Sequence, residues 1–219
     1  MPSTRHWCIL CEGKSEVTYL ALLSRFVRDS TEAFPPPVTF HAKPPNHGVG
    51  SGHLRDISAA YHRESRNNPR DCFRVWVDAD LCLREKADDP GKFDLRWSDP
   101  LRTLPFAFSP LSFEDFLSMH FPDSVFVEWK RALAAANHFS APLTSKDYLP
   151  LFLPFWRQVA GSGYEKGTLP DDWISESSLR NLFRHCTDPD FVRPVRVLTP
   201  KPTFPEFLHD TLFPILGLP

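Results

Sequence analysis

Trp7-Cys8-Ile9-Leu10-Cys11-Glu12-Gly13-Lys14-Ser15-Glu16 and Phe73-Arg74-Val75-Trp76-Val77-Asp78-Ala79-Asp80 decide the fold. Each begins as a short, nearly continuous apolar run, the pattern of a strand buried on both faces of a parallel sheet. Each run closes on acid: Glu12 in the first, Asp78 and Asp80 in the second. In an open parallel sheet the strand ends face one crevice, and ligands bind there. Carboxylates gathered at such an edge repel one another unless a cation sits between them. Hard oxygen donors suit Mg²⁺ or Mn²⁺, and bound Mg²⁺ suits chemistry on phosphate groups. Residues 78 and 80, if both lie on a strand, share a face. They are therefore expected to serve one metal, or two roughly 4 Å apart.

Working outward, Gly13 permits a tight turn, and Ser15 is expected to cap the helix that follows. Val17, Leu20, Leu22, Leu23 and Phe26 recur there at near-helical spacing, and Pro35-Pro36-Pro37 ends it. Val38 to Ala42 reads as a second strand. The loop Asn46-His47-Gly48-Val49-Gly50-Ser51-Gly52-His53 lacks the Gly-Lys-Ser/Thr end of a Walker A loop and is no G-x-G-x-x-G fingerprint. It reads equally as a phosphate-contacting backbone or as a turn into a helix from His53 to Arg63. Arg84 to Arg96 reads as a solvated helix and loop, and Leu104 to Phe108 as a fourth, short strand. Ser112 and Asp115 have capping-box spacing for a helix running through His120.

This alternation implies an α/β fold: a mostly parallel four-stranded sheet flanked by helices over residues 1–121. Beyond Pro122 the segments near 124–137, 146–160, 175–186 and 204–216 read as helices separated by proline-bearing linkers. Residues 122–219 are therefore expected to form a mainly helical C-terminal extension.

The chain of 219 residues is 42% hydrophobic, with 19 Phe, 6 Trp and 23 Pro but only 9 Gly. The prolines are expected to stiffen loops. A net charge of −2 excludes the footprint of a constitutive, strongly basic nucleic-acid binder. It leaves room for an enzyme whose basic groove is local or supplied by a partner. No signal peptide and no apolar stretch of about 20 residues is evident, so a cytoplasmic location is expected. Cys8 and Cys11 form a C-x-x-C, but no second pair has matching spacing. They read as small buried hydrophobes rather than zinc ligands.

The order of elements resembles the Toprim fold of topoisomerases, primases and OLD-family nucleases, with Glu12, Asp78 and Asp80 at the positions of its Glu and Asp-x-Asp. The details look most similar to RloB-like proteins. Cys11-Glu12-Gly13-Lys14-Ser15-Glu16 matches their Cys-Glu-Gly-Lys-Thr-Glu type motif, with Ser at position 15. Ser109-Pro110-Leu111-Ser112-Phe113-Glu114, followed by His120-Phe121, is similar to their Ser-Asn-Pro-x-Phe-Glu motif, without the Asn. The resemblance covers residues 7–121. It implies a Toprim-like fold and a Mg²⁺-dependent nuclease acting in bacterial anti-phage defence, often beside an ATPase partner.

The expected site follows. Glu12, Asp78 and Asp80 would hold Mg²⁺ or Mn²⁺, with Glu12 as ligand or general base. Lys14 would meet the scissile phosphate, Glu16 would support the site from the first helical turn or be simply an acid favoured by the helix dipole, and Glu114 would extend the acidic cluster. His53, Arg180, Arg184, Arg193 and Arg196 are candidate contacts to nucleic acid, alongside His185. RNA, tRNA included, and DNA stay open as substrates, and further copies of the chain as partners; a membrane does not. The rival expectation is a latent or regulatory subunit of an ATPase-containing defence complex. Primase- or topoisomerase-like phosphotransfer ranks last, because Tyr19, Tyr61, Tyr148 and Tyr164 sit in no motif marking a nucleophile.

Overall fold

The computed structural model describes residues 4–31, 35–43 and 54–218. The glycine-rich loop with His53 lies outside the described residues. Strands β1 (Arg5–Cys11), β2 (Val38–Lys43), β3 (Cys72–Asp78) and β4 (Phe106–Ser109) form one parallel sheet in the order β2-β1-β3-β4. Helix α1 (Lys14–Ser30) links β1 to β2, and α2 (Leu54–Asn67) precedes β3. Helices α3 (Asp80–Asp88) and α4 (Pro90–Thr103) join β3 to β4, and α5 (Phe113–Ser118) follows β4. The C-terminal region is helical, as the sequence implied: α6 (Asp123–Ala135), α7 (Ser145–Ala160), α8 (Glu176–His185), α9 (Pro189–Arg196) and α10 (Phe204–Leu216). Among the described residues no helix is long and apolar enough to cross a membrane.

Alternate residues of each strand face opposite sides of the sheet, and each side carries its own apolar cluster. Ile9, Cys11, Trp76 and Ala107 face one side, where they meet Tyr19, Leu20 and Leu23 of α1, Phe116 of α5 and Phe204 of α10. Leu10, Val75, Val77, Phe106 and Phe108 face the other, under Ile57 of α2, Cys82 of α3 and Trp97 of α4. Burial on both sides explains why the strands read as continuous apolar runs. The first cluster extends from Trp7 to Leu218, so residues on both sides of position 121 share it.

Trp76, fully buried on β3, joins the sheet to that cluster. Its indole stacks on Phe204, ring centroids 3.7 Å apart, and its Nε1–H donates to Ser109 Oγ at 2.9 Å. Tyr19 and Phe116 press their edges against it.

Four local expectations need correction. Helix α1 starts at Lys14, with Gly13 at the N-cap position, so Ser15 lies buried in the first turn rather than capping it. Residues 84–96 are largely solvated, as expected, but they are not a helix followed by a loop. They span two helices separated at Asp89, whose carboxylate accepts from Lys92 N–H, and Phe93 is buried beside Trp97. Helix α9 was not expected at all. Asp188 caps it, Pro189 occupies its first position and Pro194 lies inside it, so prolines interrupt its periodic pattern. Finally, β3 ends at Asp78, and Asp80 opens α3 instead of continuing the strand.

Replacing Phe204 by Ala removes the ring stacked on Trp76 and leaves a void that the sheet cannot fill. The expected loss is about 3–5 kcal/mol in urea unfolding. A loss below about 1 kcal/mol would show that α10 does not anchor the sheet.

Candidate active site

Strand register builds the site. Cys11 pairs with Trp76 across β1 and β3, so Glu12 emerges beside the end of β3. Its Oε2 accepts from the Asp78 N–H at 3.2 Å. Asp78 in turn pairs with Ser109 of β4, which places the following loop and α5 over the same edge. There Ser112 and Asp115 close the capping box that the sequence predicted: Ser112 Oγ accepts from Asp115 N–H, and Asp115 Oδ2 accepts from Ser112 N–H. That cap fixes Glu114 in the first turn of a short helix.

The result is a group of five acids: Glu12, Glu16, Asp78, Asp80 and Glu114. Burial pushes the Asp78 carboxyl well above the usual range, and Glu12, Glu16, Asp80 and Glu114 push it further. Its Oδ1 is buried and finds no hydrogen-bond partner among the described residues. Burial raises Glu12 as well; the Asp78 N–H and Lys166 counteract this, and Asp80 adds to it. Glu16, 5% exposed, is pushed up to about 7 by burial, then by Glu12 and Glu114. An acid held protonated near neutral pH suits proton transfer at neutral pH.

Asp80 departs from the expected arrangement. Because it starts a helix, it does not share a strand face with Asp78. Its Oδ2 lies 2.5 Å from Arg84 Nη2, one helical turn on. Among the described residues no group of three His, Cys, Asp or Glu side chains is arranged to hold a metal ion as it stands. The donor chemistry nevertheless fits a hard cation: all the groups are carboxylates, they repel one another, and a buried oxygen of Asp78 lacks a partner.

Two contributors came from a segment that the sequence did not flag. Tyr164 donates its hydroxyl proton to Glu114 Oε1 at 2.9 Å. Lys166 is the cation that acts on both Glu12 and Glu16, and it shares a small cavity with Asp80 and Glu114. Gly167 follows in a left-handed conformation (φ 87°), and a Cβ there would stand 3.3 Å from the Lys14 side chain. Thr18 Oγ donates to the Gly167 carbonyl at 3.0 Å, pinning this segment to α1. Residues 161–167 hold three of the nine glycines, as many as the loop before His53, around a Tyr and a Lys. That composition was the available signal.

The remaining candidates fall elsewhere. Lys14 is exposed and packs against Gly167. Arg180, Arg184, Arg193 and Arg196 pair with Glu176, Asp123, Asp190 and Glu206 respectively, none of which belongs to the cluster. His185 is bound between the Met119 carbonyl and Asp123, with its ring stacked on Phe126. Cys8 and Cys11 are buried free thiols, as expected.

A scan against protein-family models finds no match to this chain, and comparisons with curated sequences and solved structures find none either.

The buried acids give stability a definite pH dependence. Folded Glu16 keeps its proton to about pH 7, whereas an unfolded glutamate releases it near 4.5. The unfolded chain therefore binds fewer protons across this window, and stability falls as pH rises from about 4.5 to about 7. Glu12 and Asp78 act in the same direction. Urea unfolding in EDTA should show this slope, and Glu16→Gln should flatten it, gaining roughly 2–3 kcal/mol above neutral pH. An unaltered slope in the variant would locate the dependence elsewhere.

Proposed function

We propose that the chain is a Mg²⁺- or Mn²⁺-dependent nuclease of Toprim type, hydrolysing phosphodiester bonds in RNA, possible substrates including tRNA, or in DNA. The observation that carries this is the convergence of Glu12, Asp78 and Asp80 at one edge of a parallel sheet, with mutual repulsion and an unpartnered buried oxygen. The ordered Toprim- and RloB-like motifs support it, and with them a role as an effector in bacterial anti-phage defence beside an ATPase.

Glu12, Asp78 and Asp80 would hold the cation. When bound, it would polarise the phosphate and lower the pKa of water toward neutrality. Glu12, raised by burial, is suited to take a proton from the attacking water. Lys166, an exposed cation beside the acids, would meet phosphate charge, and exposed Lys14, packed against Gly167, would add to it. Tyr164 holds Glu114 by its hydroxyl, which keeps that carboxylate turned inward.

A latent or regulatory subunit is the second reading. The ion pair between Asp80 and Arg84 favours it, because that pair must loosen before Asp80 serves a cation fully.

Labelled tRNA, single-stranded RNA and duplex DNA incubated with the purified chain and Mg²⁺, Mn²⁺ or EDTA separate these readings. Metal-dependent cutting is expected, falling at least about a hundredfold in Glu12→Gln with urea unfolding still cooperative. Full activity in Glu12→Gln would remove the assignment, and no cutting by the native chain would favour the latent subunit. In parallel, Mg²⁺ or Mn²⁺ should raise the melting temperature of the native chain but not of Asp78→Asn. Equal shifts in both would place the cation elsewhere.

A further inference from the structure

A cavity of about 460 Å³ opens between α3, the connection from α6 to α7, and α9. Leu83 and Ala87 form one wall, Phe139 and Pro142 a second, and Pro194 and Val197 a third. A smaller cavity of about 50 Å³ lies at Asp80, Glu114 and Lys166. The same two elements line both cavities. Helix α3 gives Asp80 to the small cavity and Arg84 to the large one. The 138–143 segment gives His138 and Leu143 to the small cavity, and Phe139 and Pro142 to the large one.

The wall formed by that segment is preset. His138 Nδ1 accepts from the Leu143 N–H at 3.0 Å, which leaves the ring proton on Nε2 for buried Asp115, also at 3.0 Å. The loop between them is clasped at both ends, and Phe139 is braced edge-on against Phe191, centroids 5.2 Å apart.

Charge orients the groove. Arg84 stands at the end nearest Asp80, and Asp88 at the far end. The Lys86 ammonium is taken by the Val197 carbonyl at 2.8 Å. A cation that neutralised Asp80 would free Arg84 to draw an anionic backbone to its end of the groove, beside the carboxylates. A flat, neutral, largely apolar group suits the remainder, where an aromatic ring and two prolines line the walls. The volume lies in the range of small-molecule sites.

We propose that this groove receives an unstacked base of a single-stranded nucleic acid whose backbone passes Arg84 into the acidic site. The proposal rests on the nuclease reading and narrows its substrate to single strands or unpaired loops. A duplex keeps its bases inside the stack and would have to flip one out, whereas a single strand offers bases for stacking on side chains at little cost.

The test measures fluorescence anisotropy of the full chain with a short labelled single-stranded RNA, a single-stranded DNA of matching sequence, and the duplex. Ca²⁺ replaces Mg²⁺ so that the acids are neutralised. Single strands should bind more tightly than the duplex, with the two single-stranded probes distinguishing RNA from DNA. Phe139→Ala should weaken single-strand binding about tenfold. Val197 is 56% exposed, so its substitution leaves packing intact. Val197→Glu should weaken binding and Val197→Lys should strengthen it. Equal or tighter duplex binding, or Val197 variants that bind like the native chain, would overturn the groove. If cutting in Mg²⁺ or Mn²⁺ persists in that case, the nuclease reading survives alone. Groove-dependent binding without any cutting would instead keep the binding site and remove the nuclease reading.

Discussion

Parallel pairing of β1 with β3, in a register that sets Glu12 beside Asp78, is the constraint from which the site follows. Parallel strands end at the same edge, so acids that follow them have no route away from one another. Burial makes this costly: each carboxylate loses water, and each feels its neighbours through a poorly screening medium. One backbone N–H and the charge of Lys166 offset part of that cost at Glu12. Asp78 has less relief, with one oxygen left unpartnered. A fold keeps such a cluster only if the elements around it are held firmly by other means.

Those means come largely from the second half of the chain. Trp76 lies two residues before Asp78 and faces the opposite side from its neighbours Val75 and Val77. Its stack on Phe204 fixes the end of β3 through α10. Asp115 is completely buried and accepts from Ser112 N–H and Oγ–H, His138 Nε2–H and Tyr148 O–H, the last at 2.7 Å. Four donors satisfy a buried carboxylate. They tie α5, and with it Glu114, to both the α6–α7 connection and α7. Tyr164 then reaches Glu114 from beyond α7. The helical C-terminal region thus shapes the acidic edge as much as the sheet does.

How far the sequence revealed this depends on the range of each interaction. The strands were legible because burial on both faces writes itself as a continuous apolar run. The Ser112–Asp115 cap was legible because both partners lie within one turn. Glu12 and Asp78 were legible as strand-end acids. Asp80 was misjudged because spacing of two within an acidic pair implies a strand, whereas the chain turns into α3 at Ala79. Ser15 was misjudged because serine is a good cap, yet Gly13 permits the turn sooner. Helix α9 was hidden by Pro189 and Pro194. Beyond the glycines around them, nothing marked Tyr164 and Lys166, for a different reason: each acts on residues about 50 to 150 positions away, and only the folded chain brings them together. The arginines of α8 and α9 look like a basic stripe when read in order, but each meets an acid.

That last point bears on how an acidic centre can meet a polyanion. The arginines at 180, 184, 193 and 196 are paired, and the net charge is −2. Long-range attraction of nucleic acid to this chain is therefore weak, since steering depends on the summed field. Binding of a polyanion would rest on a few local cations. Lys166 and Arg84 stand at the acids, the first exposed and the second tied to Asp80, while exposed Lys14 packs against Gly167. A cation bound among the carboxylates would cancel their repulsion for Asp80 and ease its hold on Arg84. The same event would thus remove negative charge from the site and release positive charge toward the groove. Affinity for a phosphate backbone and readiness to act on it would then rise together, and both would be low while the acids stay unneutralised.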